Sequence, residues 1–114
     1  MQTTQDLINE LKHSTGEVAK DFPDFFQQFS GMAGQALKDG ALSGKQKELI
    51  AVALSVSNQC TWCIATHVKN AMDAGATRQE IREACLVAIL MGGGPAVVYG
   101  SAALEALKQF KESE

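Results

Sequence analysis

Proline occurs at only two positions of this 114-residue chain, 23 and 95, and β-branched residues nowhere alternate with polar ones over a strand's length. Long stretches free of proline, with apolar residues recurring every three or four positions, leave the α-helix as the element that fits, so the fold class is all-α with about six helices. Thr3 or Thr4 suits the cap of a first helix carrying Leu7, Ile8 and Leu11, which is expected to end before Ser14-Thr15-Gly16. Pro23 fits the first turn of a second helix, with Phe25, Phe26, Phe29, Met32 and Leu37 as its apolar set, closed by Asp39-Gly40. Ser43 with Gln46, and Thr77 with Glu80, are capping-box pairs. They open a third helix from about Gly44 and a fifth through Ile81, Ala84, Cys85, Val87, Ala88 and Leu90. Between them, Ser57-Asn58-Gln59 breaks the chain before a fourth helix from about Cys60 to Asp73, stopped by Ala74-Gly75. Gly92-Gly93-Gly94 ends the fifth helix, and Pro95 restarts a sixth to about Phe110, with the charged end Lys111 to Glu114 expected to fray. No linker, repeat or second domain interrupts residues 1–114, which read as a single domain.

The third helix carries Leu49, Ile50, Val52, Ala53, Leu54 and Val56 around most of its circumference and is expected to be buried. Together with the Phe22, Phe25, Phe26, Phe29 cluster, which reads as core or subunit interface, this is more apolar surface than one small domain buries, so a homo-oligomer is expected. Net charge is −3 and no Lys/Arg cluster occurs, which argues against nucleic acid or an anionic membrane as partner. The polar stretch Met1 to Glu10 is no secretory signal, and the apolar run Ala84 to Met91 is too short to span a bilayer. Three cysteines in that setting point to a reducing cytoplasm, where a close pair is more often catalytic or metal-binding than structural.

That pair is Cys60-Thr61-Trp62-Cys63, followed four positions later by His67. On a helix, positions 60, 63 and 67 fall on one stripe, and His67 leans back over Cys63. A helix start near Cys60 adds unpaired N–H groups and the positive end of the dipole, which favour a thiolate. A nearby base, such a field and a second thiol to resolve the first are what an active dithiol requires. Zinc binding competes, since two thiolates and an imidazole are ligands, but a second ligand pair at motif spacing is missing. Inert core cysteines are the third reading. Glu48 lies eleven positions before Gln59 and His67 eight after it. In an antiparallel hairpin of helices three and four, at about 1.5 Å per residue, the two differ in depth by a turn or less. Glu48 then orients His67, which serves the thiols; otherwise Glu48 is a solvated glutamate beside Lys45 and Lys47.

The remaining features read more plainly. Trp62 is a packing or interface residue and Thr61 a solvated one. Cys85 is a small core hydrophobe, and His13 is exposed. The Gly92-Gly93-Gly94-Pro95 turn lacks the preceding strand and following Lys-Ser/Thr of a phosphate loop, so a tight helix–helix turn fits it better.

Glu48, Cys60-x-x-Cys63 and His67, together with Ala74-Gly75-Ala76-Thr77, Glu80-Ile81 and Met91-Gly92-Gly93-Gly94-Pro95, resemble the alkylhydroperoxidase D-like branch of the carboxymuconolactone decarboxylase family over about residues 40 to 110. The resemblance implies an all-helical fold with Cys60, Cys63, His67 and Glu48 as catalytic residues; no cofactor or metal is expected. It implies reduction of a peroxide, with electrons supplied by an external dithiol or passed to a partner peroxidase, and a homotrimer or homohexamer. Two departures stand out. Those proteins carry a second histidine immediately before the second cysteine, where this chain has Trp62, and they are longer, with two related halves. The lactone decarboxylases themselves lack the cysteine pair. The resulting expectation is a cytoplasmic thiol-dependent peroxidase or disulfide reductase of antioxidant defence. Its rivals are a redox-sensing or zinc-binding helical oligomer that is not an enzyme, and a lactone decarboxylase-like enzyme that survives loss of both cysteines.

Overall fold

The computed structural model describes residues 2–110. Among them are six helices and no strand: α1 (Thr4–Asp21), α2 (Pro23–Leu37), α3 (Gly44–Ser57), α4 (Thr61–Asp73), α5 (Arg78–Gly92) and α6 (Gly94–Leu107). The expected fraying at Lys111 to Glu114 lies outside the described residues.

Three helices start where a hydroxyl and a carboxylate or amide satisfy each other's backbone across one turn. Thr3 with Asp6 opens α1, Ser43 with Gln46 opens α3, and Thr77 with Glu80 opens α5. Helix α1 does not stop before Ser14-Thr15-Gly16, as the sequence suggested, but runs on to Asp21. A single glycine costs only about 1 kcal/mol inside a helix. Thr15 turns its hydroxyl onto the Lys12 carbonyl (3.1 Å) instead of breaking the ladder. Pro23 is the terminator. It disfavours helical backbone at Phe22, which caps α1 with φ −134°, and supplies the first residue of α2.

The core is built from α3, α4, α5 and α6. Val52 and Val56 meet Ile64, Val68, Ala71 and Met72 of α4, Ile81, Cys85 and Ala88 of α5, and Ala96, Ala103, Ala106 and Leu107 of α6. Helix α6 comes close to α5 because Gly100 has no side chain: a Cβ there would stand 3.2 Å from the Ile89 Cδ1. The turn that swings α6 back uses Gly93 at φ 69°, a conformation that suits glycine. Helix α1 lies along α4, buries Ile8, and is tied to the far end of the chain by the Thr4 N–H donating to Gln109 Oε1 at 2.8 Å. Among the described residues no helix is long and apolar enough to cross a membrane.

One expectation about apolar surface is corrected and another is narrowed to one of its two alternatives. Helix α3 is not buried all round: Val52 and Val56 are fully enclosed, but Ile50 and Leu54 are about half exposed. Its apolar residues exceed what the neighbouring helices can cover. Helix α2 buries no residue, so the phenylalanine cluster is not core of this chain. Phe22, Phe25 and Phe29 are exposed, and Phe26 is half-buried with its ring centroid 6.3 Å from that of Phe29.

Candidate redox site

Helices α3 and α4 fold back on one another through Asn58, Gln59 and Cys60. Gln59 takes the left-handed backbone (φ 57°), and the Cys60 N–H returns to the Ser55 carbonyl at 3.1 Å, which closes the end of α3 within a single turn. That tight reversal makes Cys60 the N-cap of α4. Its sulfur accepts the Cys63 N–H at 3.2 Å, one of the donors a helix start leaves unpaired. Cys60 and Cys63 are joined as a disulfide, their Cα atoms 5.2 Å apart, and both are half-buried.

One turn beyond Cys63, His67 meets Glu48 across the hairpin: Nδ1 and Glu48 Oε1 are 2.7 Å apart. The side chains are 26% and 12% exposed, so Glu48 is not the solvated glutamate of the plainer reading. The flanking lysines are engaged elsewhere. Lys45 pairs with Glu80 (3.1 Å), and Lys47 donates to the Lys38 carbonyl (2.6 Å). A carboxylate only accepts, so its bond to Nδ1 fixes the proton there when the ring is neutral and leaves Nε2 as the basic nitrogen. Cys60, Cys63, His67 and Glu48 thus sit on two facing helices, with the two bonded sulfurs at the start of α4 and the imidazole–carboxylate pair one turn below.

Other residues fall outside this group. Cys85 is a free thiol, buried in the core on α5, where loss of solvation pushes its pKa up from 9.0 to about 11. His13 is exposed on α1, and Gly92 to Pro95 form the α5–α6 turn. Thr61 is half-buried rather than solvated, and with Thr4, Leu7 and Ala102 it borders a small cavity between α1, α4 and α6. Among the described residues no group of three or more His, Cys, Asp or Glu side chains is arranged to hold a metal ion.

Two residues near the pair were not singled out in the sequence. Glu10 of α1 accepts the Trp62 indole N–H at 2.8 Å. Thr66 carries a buried hydroxyl that finds no hydrogen-bond partner among the described residues. Trp62 is 44% exposed, so water could serve its N–H, and nothing in local spacing marks Glu10 as its acceptor.

The model of the carboxymuconolactone decarboxylase family matches residues 23–106. A protein of uncharacterised function from Cupriavidus necator is 37% identical over 97 residues, spanning 85% of this chain and 86% of its own. Another, uncharacterised protein 4 of the cox locus in Paracoccus denitrificans, is 38% identical over 94 residues, spanning 82% of this chain and 85% of its own. Among solved structures, an apo carboxymuconolactone decarboxylase family protein from Legionella pneumophila superposes with a TM-score of 0.90 at 39% identity, covering 94% of this chain and 96% of that one. A protein from Thermotoga maritima shares the fold, with a TM-score of 0.80 at 23% identity over 92% of this chain and 95% of that one. A match running through five of the six helices, on a fold shared nearly end to end, places this Cys-x-x-Cys protein in the carboxymuconolactone decarboxylase family.

Proposed function

We propose that the protein is a thiol-dependent peroxidase or disulfide reductase of the alkylhydroperoxidase D-like kind, working in the cytoplasm with Cys60 and Cys63 as its redox pair. The observation that carries this reading is the 2.7 Å contact between His67 and Glu48, which orients a base one helical turn from Cys63. The basic Nε2 takes the Cys63 proton, and Glu48 stabilises the imidazolium that results. The thiolate attacks one peroxide oxygen, the O–O bond breaks, and the leaving oxygen takes the proton from His67 and departs as alcohol, or as water from hydrogen peroxide. Cys63 is then a sulfenic acid. The Cys60 sulfur displaces its hydroxyl as water, forming the Cys60–Cys63 disulfide, the state in which the pair is described. An external dithiol returns two electrons and two protons and is itself oxidised to a disulfide. The test is peroxide consumption with several dithiol reductants beside the Cys60→Ser/Cys63→Ser double variant. Consumption that vanishes with the pair supports the reading. Consumption unaffected by losing both cysteines, or none by the wild type with any reductant, overturns it.

A further inference from the structure

The Thr66 hydroxyl differs from two other helical hydroxyls of this chain. Thr15 donates to the Lys12 carbonyl at 3.1 Å and Ser55 to the Ala51 carbonyl at 2.6 Å, the usual outlet for a hydroxyl within a helix. Thr66 uses neither the Trp62 nor the Cys63 carbonyl, and its buried oxygen pairs with no other described group. A buried donor left without an acceptor is a standing penalty, and native structures retain few of them. Its place is specific. Thr66 follows Cys63 by three residues, the spacing that brings helical side chains within about 5–6 Å of each other, and helical side chains lean toward the N-terminus. Thr66 and Cys63 are therefore neighbours across one turn of α4. In the disulfide the Cys63 sulfur is held to Cys60 and is not its acceptor.

We propose that Thr66 is a positioning residue of the redox pair: its hydroxyl donates to the Cys63 sulfur once that sulfur is released from Cys60. Reduction adds two electrons and two protons to the disulfide, and the Cys63 proton then passes to His67 or to solvent. The freed sulfur turns about its Cα–Cβ bond and gives the buried hydroxyl the acceptor it lacks in the oxidised form. Hydrogen bonds to a charged acceptor are the stronger kind, so the effect is largest on the thiolate. The hydroxyl thus penalises the disulfide and favours the thiolate, which together raise the reduction potential of the pair. The two sulfurs have different donors in this scheme: Cys60 sits on the backbone N–H at the helix start, and Cys63 takes a side-chain hydroxyl.

This inference rests on Cys60 and Cys63 being the redox pair, but its test needs no peroxide. Wild type, Thr66→Val and Thr66→Ser are each equilibrated in buffers of reduced and oxidised dithiothreitol, and the free thiols are trapped and counted by mass spectrometry. Thr66→Val keeps the side-chain shape and removes the donor. It should move the equilibrium about tenfold toward the disulfide, equivalent to about 30 mV for a two-electron couple. The Cys63 thiolate, followed by its ultraviolet absorbance, should be about tenfold less populated at a fixed pH below its midpoint. Thr66→Ser keeps a hydroxyl and should stay near wild type in both readouts. An unchanged Thr66→Val equilibrium, or equal shifts in Thr66→Val and Thr66→Ser, overturns the proposal, and circular dichroism confirms that each variant is folded. Failure of the peroxidase reading looks different: a wild type that consumes no peroxide while its thiol–disulfide equilibrium is still measured.

Discussion

The Trp62 indole N–H donates to Glu10 Oε2 at 2.8 Å, joining one of the two residues between the cysteines to a residue of α1 fifty-two positions earlier. This bond links α1 to the turn that carries the cysteine pair, beside the packing of buried Ile8. Glu10→Ala should leave the α3–α6 core folded, lower stability by about 1 kcal/mol, as expected for one net hydrogen bond, and move the Trp62 fluorescence to longer wavelength. Thermal unfolding and emission spectra check this. An unchanged spectrum would mean that the indole does not depend on Glu10.

Glu48→Gln tests the proton relay. The amide keeps the size of the carboxylate but no longer stabilises an imidazolium at His67. Alkylation of the reduced pair near neutral pH should slow by about tenfold to a hundredfold, the range of general-base assistance, with little change in helical content. An unchanged rate and pH profile would make Glu48 a structural partner of His67 and nothing more.

The roles within the pair separate on serine variants. Cys63 is the thiol nearer to His67, whereas Cys60 has the helix start, worth up to about 2 kcal/mol to a negative charge. Cys63 is expected to attack. Peroxide treatment of Cys60→Ser should therefore give a trappable sulfenic acid at Cys63, read by mass spectrometry. Rapid trapping in Cys63→Ser alone would reverse the assignment.

Cys85 gives a pH-dependent term. Its pKa rises from 9.0 to about 11 because burial disfavours the thiolate. Below pH 9 neither the folded nor the unfolded thiol is ionised, and the contribution to stability is fully present. Between 9 and 11 the unfolded chain loses this proton while the folded one keeps it, so stability falls as pH rises through that window. Wild type should lose about 2–3 kcal/mol more than Cys85→Ala across it, measured by urea unfolding. In the folded protein at pH 8, iodoacetamide should label reduced Cys60 and Cys63 and spare Cys85.

Exposed apolar residues on α2, α3, α5 and α6, among them Phe25, Met32, Leu54, Leu90 and Val98, call for assembly. Light scattering at micromolar concentration should find a homo-oligomer, with a trimer or hexamer expected from the family resemblance. Phe25→Asp/Phe29→Asp should lower its mass. A monomeric wild type would refute this.

What could be read from the sequence was local. The boxes at Ser43 and Thr77 and the proline at 23 act within one turn and set helix starts wherever the rest of the chain goes. The approach of Glu48 to His67 followed from counting residues on either side of a short reversal. The continuation of α1 past Gly16 did not, because a weak local preference there yields to the ladder running on to a stronger stop at Pro23. Nor did the exposed flank of α3 at Ile50 and Leu54, since periodicity records how apolar a helix is but not how many neighbours arrive to cover it. Glu10 and Thr66 escaped because their significance lies in a distant acceptor and a missing one.

The emptiness of α2 bears on how the chain is made. Synthesis proceeds from the N-terminus at about 5–20 residues per second, so α1 and α2 emerge before any of the core they border. Ile8 is covered only once α4 lies along α1, and Phe25 and Phe29 of α2 stay exposed even then. A nascent chain therefore carries an unsheltered apolar helix while its core is being made. High expression should demand chaperone attention to that helix, and co-assembly of chains from neighbouring ribosomes would be the fastest way to relieve it.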